Sequence, residues 1–220
     1  MTSFISAQPF SRVSWAKGID PKTGKPVDYD PTKDVQTYAG IGVRRAKRGE
    51  EACPWWNGSP TFFPPTLAAK RGIAYVAGAE GCIASTASKT PMDEKKDYVG
   101  LPPCCTEQGR ITAHGALWAL DLKTGKIVGK ETFQPPTESG MLSTDGGLLF
   151  TGHMTGKFAA YDATTLKEVW SLSLGTPITA PPMTYSVGGK QYVAVVAGGG
   201  VGVRGGGLYQ PAAFVAVFGH

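Results

Sequence analysis

Long hydrophobic runs are missing from this sequence, and so are the marks of an exported precursor. No stretch of about 18 consecutive apolar residues occurs, so we expect no membrane-spanning helix. Residues 1–15 contain no basic region followed by an apolar region, so no signal peptide is visible. The net charge of +5 is small and its lysines and arginines are scattered, which does not indicate a nucleic-acid-binding protein.

Cysteine is scarce, and its spacing excludes several functions. The four cysteines are Cys53, Cys82, Cys104 and Cys105, and no C-x-x-C pair occurs. Zinc ribbons, thioredoxin-like redox motifs and covalent attachment of c-type haem are therefore excluded. Two interpretations remain at this point: two disulfides formed in an oxidising compartment, or four unpaired buried thiols.

Histidine is equally scarce, so the sequence offers no candidate catalytic residue and no metal ligands. His114, His153 and His220 show neither metal-ligand spacing nor a Ser-His-Asp arrangement. The glycine-rich stretch 198–207 lacks the Gly-Lys-Ser/Thr ending of a P-loop, and no helical pattern follows it. We therefore expect this stretch to allow close backbone approach near the end of a strand, and not to bind a nucleotide.

Turn-forming residues, by contrast, are abundant. The 30 glycines and 17 prolines disfavour long helices and favour short strands. Short segments rich in aromatic and β-branched side chains, bounded by turn residues, predict strands at 73–77, 117–120, 148–151, 157–161, 191–196 and 214–218. The expected fold class is all-β.

An internal repeat narrows the expected fold to a propeller. Residues 118–128 recur as 159–170, with Asp121 and Asp162 41 positions apart, and residues 18–25 are a third echo. Each copy reads as a strand that ends in Asp, a tight turn and a returning strand. A hairpin that repeats at this period is typical of propeller blades, which stack because one blade cannot bury both faces alone.

We predict one domain over residues 1–220. Residues 1–52 form a loop-rich segment, 53–112 a blade with a long insertion, and 113–220 two repeat blades and a closing strand. The basic run 44–48 is either a solvated loop or an anion-binding patch.

Five segments carry a resemblance to a known family. They are 140–152, 156–162, 168–170, 181–185 and 189–194, of which the last two read PPMTY and GKQYVA. In order and spacing they resemble the C-terminal blades of the quinoprotein alcohol dehydrogenases, the pyrroloquinoline quinone (PQQ) enzymes of the methanol/ethanol dehydrogenase family. The resemblance implies a partial eight-bladed β-propeller, with about three C-terminal blades plus closing strands.

The resemblance also implies tryptophan-docking motifs between blades, of the form Ala-x-Asp-x-x-x-Gly-x-x-x-Trp. Ala160 and Trp170 match the first and last positions of one motif, while Leu166 stands in place of its glycine. In the other copy Gly129 replaces the tryptophan. Loss of an indole between blades costs a few kcal/mol unless a neighbour fills the gap.

At the cofactor, the resemblance identifies four positions. The family's cofactor-facing asparagine falls at Thr61, next to Phe62, and its Gly-Trp pair near the final blade falls at Val201 and Gly202. Thr61 keeps one hydrogen-bond donor, but the tryptophan ring is absent at Gly202. We therefore expect fewer contacts to the cofactor on both sides of the pocket, at Thr61 and at Gly202.

The resemblance pairs two of the four cysteines. It implies a disulfide between Cys53 and Cys82, because a disulfide-forming pair of the family has the same separation of 29 residues. Cys104 and Cys105 are adjacent, but they lie in a different context from the family's vicinal disulfide. These two residues form either a local disulfide or two free thiols.

The implied activity is oxidation of a primary alcohol by hydride transfer to PQQ. In the family this occurs beside Ca²⁺ or a lanthanide in the periplasm, and electrons pass to a cytochrome c or a quinone. The family's metal ligands and general-base aspartate lie in its N-terminal half and have no counterpart in this sequence. We therefore expect the chain to be inactive alone, with either the missing N-terminal propeller half or a second chain as its partner.

Two functions of other classes remain as alternatives. A non-catalytic propeller fragment would act as a binding or assembly module, which the weakened positions Thr61 and Gly202 favour. A carbohydrate- or anion-binding domain would depend on Trp55, Trp56 and the basic run 44–48.

Overall fold

The structure is a computed structural model, which describes residues 7, 9–33, 51–54, 59, 63–84, 110–198 and 213–219 without the side chains of 110–112. The described chain is all-β apart from one 3-10 turn at Ala69–Arg71, which confirms the expected class. The strands are β1 (Glu51–Ala52), β2 (Thr66–Ala68), β3 (Ile73–Ala84), β4 (Arg110–Asp121), β5 (Lys126–Phe133), β6 (Met141–Ser143), β7 (Leu148–Gly152), β8 (Lys157–Asp162), β9 (Glu168–Ser173), β10 (Met183–Val187), β11 (Lys190–Ala197) and β12 (Phe214–Gly219). All six strand segments expected from the sequence lie within these strands.

The chain divides into two compact units. The disulfide unit comprises 1–59 and 80–113, and the sheet unit comprises 60–79 and 114–220. In the disulfide unit, Cys53 and Cys82 form a disulfide, as the family resemblance implies. The backbone N–H of Cys53 donates to the hydroxyl of Ser14 (2.7 Å), which ties the loop-rich segment to this bridge.

Three antiparallel sheets account for the strands of the sheet unit. The first sheet has the order β1-β3-β4-β5, and β2 also pairs with β3. The second sheet has the order β6-β7-β8-β9 and the third has the order β10-β11-β12. Each strand of the second and third sheets pairs with its neighbour in sequence, which is the meander of a propeller blade.

The repeated Asp turns form because a carboxylate at the strand end accepts backbone N–H groups. Asp121 accepts from the N–H groups of Lys123 and Thr124, both at 2.8 Å. Asp162 and Asp20 make the corresponding bonds in the second copy and the third echo. The N–H donors hold the pKa of all three carboxyl groups below its ordinary value.

The turns close through a left-handed residue, and here the copies differ. In the first copy and the echo this residue is glycine, and in the second copy it is Leu166 with φ of 58°. A left-handed conformation costs free energy for a residue with a Cβ atom. Contacts of the Leu166 side chain must therefore offset this cost.

Two apolar cores lie between the sheets of the sheet unit. The first core joins the first and second sheets and contains Tyr75, Ala77, Leu117, Ala119, Met141, Leu149, Ala159, Tyr161, Ala163 and Leu166. The second core joins the second and third sheets and contains Phe158, Ile178, Val195 and Ala197, with Phe150, Val193, Ala216 and Phe218 packed against it. β7 and β8 of the second sheet are therefore covered on both faces, whereas β9 is exposed.

Candidate functional site at the first strands of the sheets

The segments that lead into β2, β6 and β10, one strand from each of the three sheets, meet at Gly140. The N–H of Met141 donates to the carbonyl of Pro64 (3.1 Å), just before β2. A Cβ atom built on Gly140 would lie 2.7 Å from Cγ of Pro64 and 2.8 Å from Cβ of Pro181, just before β10. Glycine at position 140 therefore allows Pro64 and Pro181 to lie against its backbone, where any side chain would overlap them.

A buried polar network fixes the segment that precedes β6. Thr137 Oγ1 donates to the carbonyl of Gly152 (2.7 Å), and Ser139 Oγ donates to the carbonyl of Ala180 (2.8 Å). Thr151 Oγ1 donates to the carbonyl of Gly140 (3.0 Å). Because the three hydroxyl side chains are buried, each of these bonds satisfies a group that would otherwise be costly to desolvate.

Glu138 lies between the two buried residues Thr137 and Ser139. Its Oε2 atom is buried and hydrogen-bonds to none of the described residues. Burial raises the pKa of this carboxyl above its ordinary value. Sequence reasoning did not identify Glu138, since it lies in an irregular loop without a motif.

The described residues do not fit a metal centre. Among them, no group of three or more His, Cys, Asp or Glu side chains is placed to hold an ion. Glu138 offers one carboxylate, whereas Ca²⁺ takes six or more oxygen ligands.

The four residues expected at the cofactor, Thr61, Phe62, Val201 and Gly202, lie outside the described residues and stay predictions. The same holds for Trp55, Trp56, Cys104, Cys105 and the basic run 44–48. Of the glycine-rich stretch, only Gly198 is described. It has a φ of 114° at the end of β11, and its N–H donates to the carbonyl of Pro177 (2.8 Å).

His153 and Tyr161 form a buried pair in the sheet unit, where the carbonyl of His153 also accepts from the N–H of Ile178 (3.2 Å). The Nε2 atom of His153 is 2.9 Å from the hydroxyl of Tyr161, and the ring of Phe133 lies 4.6 Å from that of His153. Burial lowers the pKa of His153 to about 4 and raises the pKa of Tyr161. Both side chains are therefore neutral at pH 7, and their hydrogen bond joins β8 to the residue that follows β7.

The residues of the docking motif lie at matching places in two sheets. Trp170 is directly opposite Ala160, and Gly129 is directly opposite Ala119, in each case beside an irregularity in strand register. The ring of Trp170 lies 6.2 Å from that of Phe158 and 5.6 Å from that of Phe218, between the second and third sheets.

The family relationship rests on sequence and on fold. A family model described as the β-propeller domain of glucose, ethanol and alcohol dehydrogenases, named PQQ, matches residues 122–193. A quinoprotein alcohol dehydrogenase of Pseudomonas putida is 30% identical over 197 residues, which is 89% of this chain. The dehydrogenase subunit of a quinone-linked alcohol dehydrogenase of Acetobacter aceti is 31% identical over 90% of the chain. This chain is a relative of the quinoprotein alcohol dehydrogenases.

A solved structure of the same kind supports this relationship. A europium-containing methanol dehydrogenase superposes on 88% of the chain with a TM-score of 0.68 and 29% sequence identity. The chain spans about a third of the length of these quinoprotein relatives: 30% and 27% of the two dehydrogenases and 33% of the solved structure. The resemblance seen in the sequence and the partial propeller are thereby confirmed. Among the described residues, no helix is long and apolar enough to cross a membrane.

Proposed function

We propose that this chain is the C-terminal portion of a PQQ-dependent alcohol dehydrogenase that oxidises a primary alcohol by hydride transfer to PQQ. The observation that carries the proposal is identity of about 30% to quinoprotein dehydrogenases over about nine-tenths of the chain. The three stacked antiparallel sheets agree with it, because they are the blades that a PQQ propeller requires.

In this proposal the chain supplies one wall of the cofactor pocket. PQQ, when bound, accepts the hydride. Thr61 donates a hydrogen bond to a quinone oxygen, and Phe62, Val201 and Gly202 line the pocket with apolar or backbone surface. The Gly140 junction fixes the segment that begins at Phe63, directly after Phe62, because Pro64 contacts Gly140 and bonds Met141.

Ca²⁺ or a lanthanide and the general base come from polypeptide outside this chain. The solved methanol dehydrogenase contains europium, which supports a metal of this class in the complete enzyme. The described residues do not form its site. In this proposal the chain alone is inactive, and it is completed by an N-terminal propeller half or by a second chain.

Cytochrome c or a quinone is the proposed electron acceptor, and the periplasm is the proposed location. One relative is named as the dehydrogenase subunit of a quinone-linked enzyme, which supports transfer to a separate acceptor. The disulfide between Cys53 and Cys82 supports an oxidising compartment.

The deciding experiment is the native mass of the protein purified from its source cells, with identification of every polypeptide that copurifies. A partner carrying further propeller blades, together with alcohol-dependent dye reduction after addition of PQQ and Ca²⁺ or La³⁺, supports the proposal. A 23.1 kDa species without a partner contradicts it.

A binding or assembly module is the second candidate function. It is favoured by Thr61 in place of asparagine and by the missing tryptophan ring at Gly202, which both weaken cofactor contacts. Titration of the native assembly with PQQ separates the two functions, since only the dehydrogenase requires saturable PQQ binding.

A further inference from the structure

Glu138 lies two residues before Gly140, where the segments that lead into β2, β6 and β10 meet. Its neighbours Thr137 and Ser139 are buried, and their hydroxyl groups donate to backbone carbonyls of two other segments. Glu138 itself is half-buried. The backbone on both sides of Glu138 is therefore held in place, and its side chain extends from a fixed position.

The carboxyl group of Glu138 lacks a hydrogen-bond partner at one of its oxygens. The Oε2 atom is buried and bonds to none of the described residues. A carboxylate that is desolvated without a partner is costly, so burial favours the neutral form and raises the pKa of this group.

The segments that surround Glu138 offer no cation to neutralise it. Residues 63–66, 134–143, 150–153 and 177–182 contain no lysine or arginine, and His153 is the only other titratable side chain in them. The Nε2 atom of His153 already lies 2.9 Å from the hydroxyl of Tyr161. The missing partner of Glu138 therefore comes from outside these segments.

The position of Glu138 in the fold indicates what that partner is. Pro64 contacts Gly140, and Thr61 and Phe62, two of the predicted cofactor residues, come directly before Phe63 in the chain. β6 and β10 are the first strands of their sheets and lie at the sheet edges, and propeller blades surround a central channel. Glu138 thus belongs to the same junction as the predicted cofactor wall.

We propose that Glu138 is a further cofactor-binding residue, whose neutral carboxyl group donates a hydrogen bond to an oxygen of PQQ. The quinone and carboxylate oxygens of PQQ accept hydrogen bonds, so they match an O–H donor and repel an ionised carboxylate. A buried carboxyl group without a partner therefore fits this cofactor in its protonated form, and burial is a known means of keeping a carboxyl group protonated for this purpose. This inference rests on the proposed function.

A lysine or arginine side chain from polypeptide outside this chain is the competing partner. It would bind Glu138 as the ionised carboxylate. The two partners make opposite demands, because PQQ requires the O–H group of Glu138 and a cation requires its negative charge. Variants that keep the donor but remove the charge therefore distinguish them.

Three variants of the native assembly, prepared without cofactor, are titrated with PQQ. Glu138→Gln keeps an uncharged hydrogen-bond donor and is expected to retain PQQ affinity within about threefold. Glu138→Leu removes the donor at similar volume and is expected to weaken PQQ binding about tenfold. Glu131→Gln is the matched control on β5, where the carboxylate accepts from Lys167 (2.8 Å), and is expected to bind PQQ like the wild type.

The protonation of Glu138 supplies two readouts that a purely structural role would not change. Wild-type PQQ affinity is expected to fall between pH 6 and pH 9, because ionisation removes the donor and adds repulsion, and Glu138→Gln is expected to lack this loss. His153, with a pKa of about 4, is neutral throughout that range. The infrared difference between PQQ-loaded and empty protein is expected to show the C=O stretch of a protonated carboxyl group, which disappears in Glu138→Gln.

Each outcome decides the inference. Equal PQQ affinity in the wild type and Glu138→Leu overturns it and leaves the proposed function intact. A loss in Glu138→Gln as large as that in Glu138→Leu, with no loss at high pH in the wild type, overturns it in favour of a cation. A wild-type assembly that does not bind PQQ refutes the proposed function and the inference together. If Glu138→Leu does not fold, the infrared comparison of the wild type with Glu138→Gln decides.

Discussion

Leu166 fills the space beside Gly129 between the first and second sheets. A Cβ atom built on Gly129 would lie 3.0 Å from Cδ1 of Leu166, and Leu166 itself is only 3% exposed. The two residues occupy the tryptophan position of one repeat and the glycine position of the next. Relative to the docking motif, the large group of this contact stands at the glycine position and the small one at the tryptophan position, and this exchange favours leucine in a left-handed conformation.

A double-mutant cycle tests this exchange of large and small residues. Leu166→Gly leaves a cavity and is expected to lower the free energy of unfolding by about 2 kcal/mol or more, even after relief of backbone strain. Gly129→Trp is expected to destabilise the protein by overlap with Leu166. The loss of unfolding free energy in the double variant is expected to be smaller than the sum of the two single losses. The difference is expected to be at least about 1 kcal/mol. Urea unfolding measures all three.

The cycle needs a reference pair without contact. Leu166→Gly combined with Gly146→Ala serves, because a Cβ atom on Gly146 meets only Thr144 at 3.8 Å. These two effects are expected to add. Additive effects for Gly129→Trp and Leu166→Gly as well would contradict the exchange.

The junction at Gly140 predicts an intolerance to alanine. A Cβ atom there would lie 2.7 Å from Pro64 and 2.8 Å from Pro181, both rigid, so Gly140→Ala is expected to cost about 1–3 kcal/mol of stability. Gly146→Ala is the matched control and is expected to change the urea midpoint little. Equal midpoints for the two variants would show that the three segments do not meet as described.

His153 predicts a loss of stability in mild acid. Its pKa is about 4 in the folded chain and about 6.5 when unfolded, so the unfolded state binds more protons between these values. Stability is therefore fully present above pH 6.5 and decreases as the pH falls towards 4, by about 2 kcal/mol at pH 5.

The variant His153→Gln removes this titration while keeping a hydrogen-bonding group near Tyr161. The difference in unfolding free energy between wild type and variant, compared at pH 7.5 and pH 5, isolates the histidine from the titrating carboxyl groups. A difference that does not change with pH would show that His153 titrates normally.

The disulfide between Cys53 and Cys82 closes a loop with a sequence separation of 29 residues. Replacing both by serine is expected to lower the free energy of unfolding by about 3–4 kcal/mol, because the unfolded chain gains freedom. The double variant Cys104→Ser/Cys105→Ser is the control. These two residues are adjacent, so they close almost no loop whether they form a disulfide or two free thiols. Equal losses in the two variants would contradict an entropic role of the longer loop.

The Asp turns and most strands could be predicted from the sequence because local chemistry determines them. The carboxylates of Asp121 and Asp162 bond N–H groups only two or three positions away. The short strands β6 and β10 (MLS and MTYSV) are not among the expected segments, although Thr, Tyr and Val in β10 favour a strand. These two strands are defined by their pairing with β7 and β11.

The contacts between sheets could not be predicted. Leu166 is visible in the sequence as a departure from the motif, but its contact with Gly129 depends on how two sheets stack. Glu138 has no sequence signal, because its burial is produced by the fixed segment around Thr137 and Ser139. Pattern reasoning describes each sheet well, and the junctions between sheets require the three-dimensional structure.

The meander order of the second and third sheets has a kinetic consequence. Every strand in them pairs with its neighbour in the chain, so these ladders join segments that are close in sequence. Hairpins of this kind form in about 1–10 μs, and folding is fast where contacts are local. We therefore expect the individual sheets to form early, and the slow step to be their stacking, in which Leu166 reaches Gly129.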